Sequence, residues 1–366
     1  MAFPSWSPAP PDARPSEDAL SVVFWSALNS LGENARSAAT AFRAGATGLR
    51  ECPLIDGAGE PITLCSVPTL DPLLEGAARL DALAQATLAD LLGRAAPTLS
   101  ATRVKLFLLL DEGATVPTIS GRSVAEELAL RARDFVQNHL GSRVGIEIDA
   151  TGAAGIGSIL ERVEKELAAV EYECALVLGV HSDYSIARVA ELDAAERIHS
   201  SENLDALLLG EGAAALVLVT PVRARSLGLA PVLTVGHAAT TQDRARIDND
   251  ESAFEAAGLT VAVRRVVEPI SALGERVGWM SSDINFEMFR NYELQATIVR
   301  TQSRLGPPQL LDTPCHRLGT LGAATGLWQM AYAAELFLRG DPPSHRCLCL
   351  QGSDDGTRSA FVISAA

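Results

Sequence analysis

The stretch Leu209-Gly210-Glu211-Gly212-Ala213-Ala214-Ala215-Leu216-Val217-Leu218-Val219 decides how this chain is read. A glycine-flanked acid opens it, and only apolar residues follow. An apolar run without polar alternation marks a strand covered on both faces, as the sheets of α/β proteins require. Residues 352–356 (Gly-Ser-Asp-Asp-Gly) lead in the same way into the mostly apolar run 359–363. Two glycine-rich turns that feed similar late strands point to two related halves.

Working outward, strand-length apolar runs occupy 22–25, 104–110, 144–148, 175–180, 277–281 and 347–351. The runs 213–219 and 232–236 read as a consecutive strand pair. Helical patterns fall at 29–45, 80–92, 123–140, 156–170, 259–273, 292–303 and 322–338, and the polar segment 196–200 reads as a connection. Such alternation predicts a mainly parallel sheet with helices on both faces.

The 366 residues are 48% hydrophobic and 20% charged, enough for a large core. A net charge of −15 with no basic cluster argues against nucleic-acid binding. No uncharged apolar run is long enough to predict a membrane span. Residues 1–18, rich in Pro, Ser and Ala, lack the pattern of a signal peptide and read as a flexible leader. The six cysteines (52, 65, 174, 315, 347 and 349) follow no framework and read as free thiols in a reducing cytoplasm. The histidines are scattered, so neither a metal nor another cofactor is expected.

Five segments together resemble the β-ketoacyl synthases. Residues 22–48, with Leu31-Gly32 and Phe42-Arg43-Ala44-Gly45, look like the family's opening strand, turn and helix. Gly152-Ala153-Ala154-Gly155-Ile156 resembles its nucleophile elbow, "CSSGL". Residues 175–182 are similar to "DLALAGGAES", and 209–218 to "LGEGAGALVLE". Leu318-Gly319-Thr320-Leu321-Gly322-Ala323-Ala324 resembles "GHTLGAAG". The resemblance implies an α/β, thiolase-like fold. It would have two duplicated βαβ-type halves, 19–225 and 226–366, layered α-β-α-β-α.

It also implies a chemistry whose residues are missing. Condensation needs a thiolate activated at a helix N-terminus and two imidazoles that stabilise an enolate. Gly152 stands at the cysteine position, Asp283 at the first histidine and Gly319 at the second. Asp149 and Cys315 are the candidates for a relocated nucleophile, although Cys315 also suits a small buried residue. His316 lies three residues before Gly319 and could serve the site or cap the surface. Asp283, Asn285 and Glu287, with Arg290 and Glu293, form either a new polar pocket or a solvated loop. His181 and Asp183, at a strand's C-terminal end where α/β proteins place binding residues, form either a binding-site pair or an exposed loop pair.

Two non-catalytic roles are therefore expected ahead of an acyltransferase with a relocated nucleophile. Residues 56–61, 196–203 and 283–287 resemble a subgroup of ketosynthase-like proteins carried in type VI secretion gene sets. That resemblance implies a binding or assembly role with a secretion or effector protein. A chain-length-factor-like partner of an active ketosynthase is the alternative, with acyl-carrier protein a further possible partner. Members of the family pair through the strand matching 144–148, so a homodimer is expected.

Overall fold

β7 (Leu209–Val219) is buried at every position, as its sequence predicts. It lies antiparallel between β1 (Leu20–Asn29) and β6 (Cys174–Ser182). β4 (Val104–Leu109) and β5 (Gly145–Asp149) continue outward from β6 as parallel neighbours. On its other side, β1 joins β8 (Leu233–Gln242) antiparallel through Leu20↔Val235, Ser21↔Thr234 and Val22↔Leu233. Beyond β8 come β12 (Thr357–Ala365), β11 (Arg346–Gly352), β9 (Trp279–Ser282) and β10 (Leu310–Asp312). The order β5-β4-β6-β7-β1 is thus repeated as β10-β9-β11-β12-β8, and the two half-sheets meet at the short β1–β8 seam.

This computed structural model describes residues 19–100, 102–117, 121–249, 255–306 and 310–366. The proposed leader lies outside them.

The layers follow from the apolar faces. α4 (Gly155–Ala168) and α10 (Thr325–Arg339) pack between the half-sheets, and α10 buries every residue from Thr325 to Leu336. A helix buried all round must be apolar all round, and this one nearly is. α2 (Gly76–Leu99) and α3 (Val124–Leu140) cover the outer face of the first half-sheet. α7 (Ala257–Ala272) and α8 (Met288–Leu305) serve the second. α1 (Ala35–Arg43), α5 (Ile186–Ala194), α6 (Pro221–Ser226) and α9 (Cys315–Leu318) complete the helices. The five layers are α-β-α-β-α. Each half carries the same device before its central helix, a 3₁₀ turn of sequence Gly-Ala-Ala, at Gly152–Ala154 and Gly322–Ala324.

Several readings change. β7 and β8 are not a pair, because β1 lies between them and takes the hydrogen bonds of β7. β8 also runs on to Gln242; its polar tail hides the strand in sequence but pairs with Thr357–Phe361. A hairpin of β2 (Arg50–Ile55) and β3 (Pro61–Cys65) was not anticipated. Its turn is set by Asp56, whose carboxylate accepts from the amides of Ala58 and Glu60, and by Gly59 at φ +87°. The sheet is mixed rather than mainly parallel, because β7 and β12 run antiparallel to both of their neighbours in the order above and β1 meets β8 antiparallel. The short elements α5, α6, α9 and β10 were not anticipated, and other elements differ in their boundaries, as where the helix expected at 80–92 runs from Gly76 to Leu99.

Candidate functional site

A cavity of about 710 Å³ opens where the C-terminal ends of β4 and β6 meet the two 3₁₀ turns and the β11–β12 turn. That is where α/β folds place ligand sites. Asp283, Asn285, Glu287 and His181 all line it, as does Cys315. His316 is not among the lining residues and lies behind Asn285.

Gly152 opens the elbow at φ +73°, in the left-handed region that glycine adopts without strain. A Cβ built on it would lie 2.5 Å from Glu112 Oε2 and within 2.8 Å of the other two carboxyl atoms. The Glu112 carboxyl therefore occupies the niche that a side chain at 152 would fill. Its Oε1 accepts the Asp354 amide at 3.0 Å. Glu112 is exposed as a residue, yet protein atoms crowd its carboxyl on the Gly152 side. Burial first, then the negative charges of Asp111, Asp354 and Asp355, push its pKa up to about 7.

His181 is held at both ring nitrogens. Nδ1 lies 2.6 Å from Asp111 and Nε2 3.1 Å from Asp183. Burial opposes its charge, but the two carboxylates outweigh burial and push its pKa up to about 10. Burial of Asp183 is likewise outweighed, chiefly by His181, which holds it at about 2. Asp111 also accepts the Ala323 amide at 2.9 Å, fastening the second 3₁₀ turn. The His181–Asp183 pair is thus buried, and the exposed-pair alternative falls. The reason is Asp111, a carboxylate 70 residues earlier in the chain, which makes the buried imidazolium affordable.

The 283–293 segment is likewise no solvated loop. Asp283 accepts from Arg290 at 2.9 Å and from the Gly352 amide at 2.7 Å. Gly352 has no side chain because the Arg290 guanidinium fills that space. Asn285 binds Glu287 at 3.1 Å, and Glu287 pairs with Arg197 at 2.8 Å. Arg197 also pairs with Asp354 at 2.8 Å. Glu293 pairs with buried Arg358 at 2.7 Å. Arg290 is local, but Arg197 and Arg358 come from separate segments, so the local sequence could not show that Glu287 and Glu293 would be neutralised.

The remaining candidates are committed elsewhere. Gly319 has φ +68°, and a Cβ there would meet Leu209 O at 2.3 Å and Gly210 Cα at 2.7 Å. The backbone of β7 occupies the place where an imidazole would begin. His316 is half-buried, stacks on Phe286 at 4.5 Å, and bonds Thr313 and the Asn285 carbonyl. Burial lowers its pKa, so it is neutral near pH 7. The Cys315 thiol is buried and pushed far above the ordinary range. Asp149 faces α4, where it accepts from Ser158 and pairs with Arg162 at 2.6 Å. Neither is placed as a nucleophile. Among the described residues, no His, Cys, Asp and Glu cluster is arranged to hold a metal ion, and no helix is long and apolar enough to cross a membrane.

Sequence reasoning missed Asp111 and Glu112. A signal was present: two adjacent acids directly follow the buried run 104–110, at the end of a strand where binding residues gather.

No family model and no curated protein matches the chain. Solved structures do. A ketosynthase from module 6 of the bacillaene synthase of Bacillus subtilis 168 superposes with a TM-score of 0.73 at 14% identity, covering 95% of this chain and 72% of its own. The fold is that of the ketosynthases. The ishigamide ketosynthase/chain length factor gives 0.70 at 19% identity, with coverage of 95% and 99%. A ketosynthase in complex with its chain length factor from Xenorhabdus doucetiae gives 0.71 at 12% identity, with coverage of 99% and 100%.

Proposed function

We propose that this protein is a non-condensing member of the ketosynthase fold that binds or assembles other molecules. One observation carries the reading: the Glu112 carboxyl fills the niche at Gly152 where the family's thiol would sit. A carboxyl cannot be held as a thioester. The two imidazole positions support the same reading, since Asp283 is locked to Arg290 and Gly319 is closed by backbone. The structural neighbours speak for the scaffold and are neutral about chemistry.

The test is intact-mass measurement after incubation with acyl-CoA and with acylated carrier protein. The expected spectrum is that of the unmodified chain. A stable mass increase equal to one acyl group would overturn the proposal.

The accessory role beside type VI secretion rests on the resemblance of 56–61, 196–203 and 283–287, and pull-down of a secretion component would support it. A chain-length-factor-like role draws on neighbours solved as ketosynthase and chain-length-factor pairs. It needs an apolar tunnel, whereas this cavity is walled by ion pairs. A homodimer would form at β5, the free edge of the first half-sheet. Light scattering tests it: a clean species at the chain mass of 38.5 kDa would count against it.

A further inference from the structure

The cavity wall is not evenly neutralised. Six carboxylates line it, and five have a cation within ion-pair distance: Asp111 with His181, Glu191 with Arg188, Asp283 with Arg290, and both Glu287 and Asp354 with Arg197. Among the described residues, Glu112 alone of the six has no cation beside it. Its Oε1 accepts the Asp354 amide, so the carboxylate is met by backbone N–H rather than by a cation. A carboxylate with one oxygen already bonded suits an ammonium group, which binds as a point charge, better than the two-pronged guanidinium.

Exposed apolar side chains lie beside the cavity wall. Ile186 is 65% exposed between the wall residues Ser185 and Ala187, and Ile247 lies on the wall itself. Leu73 is 88% exposed in the loop whose Glu75 accepts the Ile186 amide. Charged wall and apolar rim together match a side chain with an ammonium tip and apolar neighbours. The chain's net charge of −15 favours a basic partner over an acidic one.

We propose that this cavity is a docking site for a segment of a partner protein, which inserts one lysine against Glu112 while flanking apolar side chains rest on Ile186 and Leu73. The inference rests on the reading that no acyl group occupies the Gly152 niche. It names what enters in its place. A free amine would satisfy Glu112 but leave the rim unused, so the rim selects the protein segment.

Proton linkage gives the proposal a signature. The groups facing Glu112 are Asp111 from its own loop and Asp354 and Asp355 from the β11–β12 turn, all acidic. His181, the one histidine on the wall, stays charged across the neutral range. An ammonium group requires the ionised form of Glu112, so docking strengthens as pH rises.

The experiment is calorimetric titration of the whole chain with acetyl-Leu-Lys-Leu-amide, the norleucine analogue of that peptide, and butylamine. The lysine peptide is expected to bind at least about tenfold more tightly than the other two, and about tenfold more tightly at pH 8 than at pH 6. Glu112→Gln should reduce it to the level of the norleucine peptide. Ile186→Ser, on the exposed rim and harmless to folding, should weaken it by about threefold. Equal binding of lysine and norleucine peptides, indifference to Glu112→Gln, or no binding would each overturn the proposal. Butylamine binding as tightly as the peptide would overturn the choice of a protein segment. An acyl adduct in the mass experiment would instead sink the non-condensing reading and leave these titrations interpretable.

Discussion

Gly152 and Gly319 both stand, in the reading proposed above, where the resembled family carries a reactive side chain, yet they are closed by different means. At Gly152 the obstruction is the end of a flexible side chain, the Glu112 carboxyl. At Gly319 it is main chain, the Leu209 carbonyl and Gly210 Cα. A side chain can rotate away at modest cost, whereas a backbone inside a sheet cannot move without breaking its ladder. The elbow is therefore a niche that remains adjustable, and the second histidine position has been absorbed into the core.

The largest effect is expected where backbone fills the space. Gly319→His should destabilise the fold by more than about 3 kcal/mol, read by urea denaturation, because positive φ and the clash with β7 act together. Asp283→His comes next. It strips buried Arg290 of its close carboxylate and the Gly352 amide of its acceptor, for a loss of about 3 kcal/mol. Gly152→Cys should cost only about 1–2 kcal/mol, mostly from its backbone conformation. Adding Glu112→Ala should recover part of that loss, and the new thiol should still take no acyl group by mass spectrometry. Were Gly152→Cys as damaging as Gly319→His, the contrast between the two sites would fail.

The smallest effect is Glu112→Gln at acid pH, where both side chains are uncharged: within about 1 kcal/mol at about pH 4. Its signature is in the pH profile. The folded protein raises the Glu112 pKa from 4.5 to about 7, so the folded state holds the proton more tightly. Stability contributed by this group is full below pH 4.5 and is lost as pH rises toward 7. The variant should lack that decline. His181 and Asp183 act outside this window. The contribution of His181 fades as pH climbs through about 10, and that of Asp183 as pH falls through about 2.

The fold was legible because its decisive elements are local patterns. The buried runs at 104–110 and 209–219 and the two glycine turns carry their own evidence. The site was legible only in its members. Asp283, Asn285, Glu287 and His181 were identifiable as polar residues at strand and loop ends, but their burial depends on Arg197, 90 residues before Glu287, and on Asp111, 70 residues before His181. Pairings over such separations leave no mark in a local window. Gly319 illustrates the same limit. The sequence shows a glycine but not the Leu209 carbonyl that lies where a side chain would begin.

β12 follows every other strand in the sequence, yet it lies inside the sheet, between β11 and β8. During synthesis the second half-sheet must wait with a gap of one strand until β12 has left the ribosome. In that interval β8 and β11 expose unpaired edges. A nascent chain in this state would be open to edge-to-edge association, and stalling before residue 357 should promote aggregation.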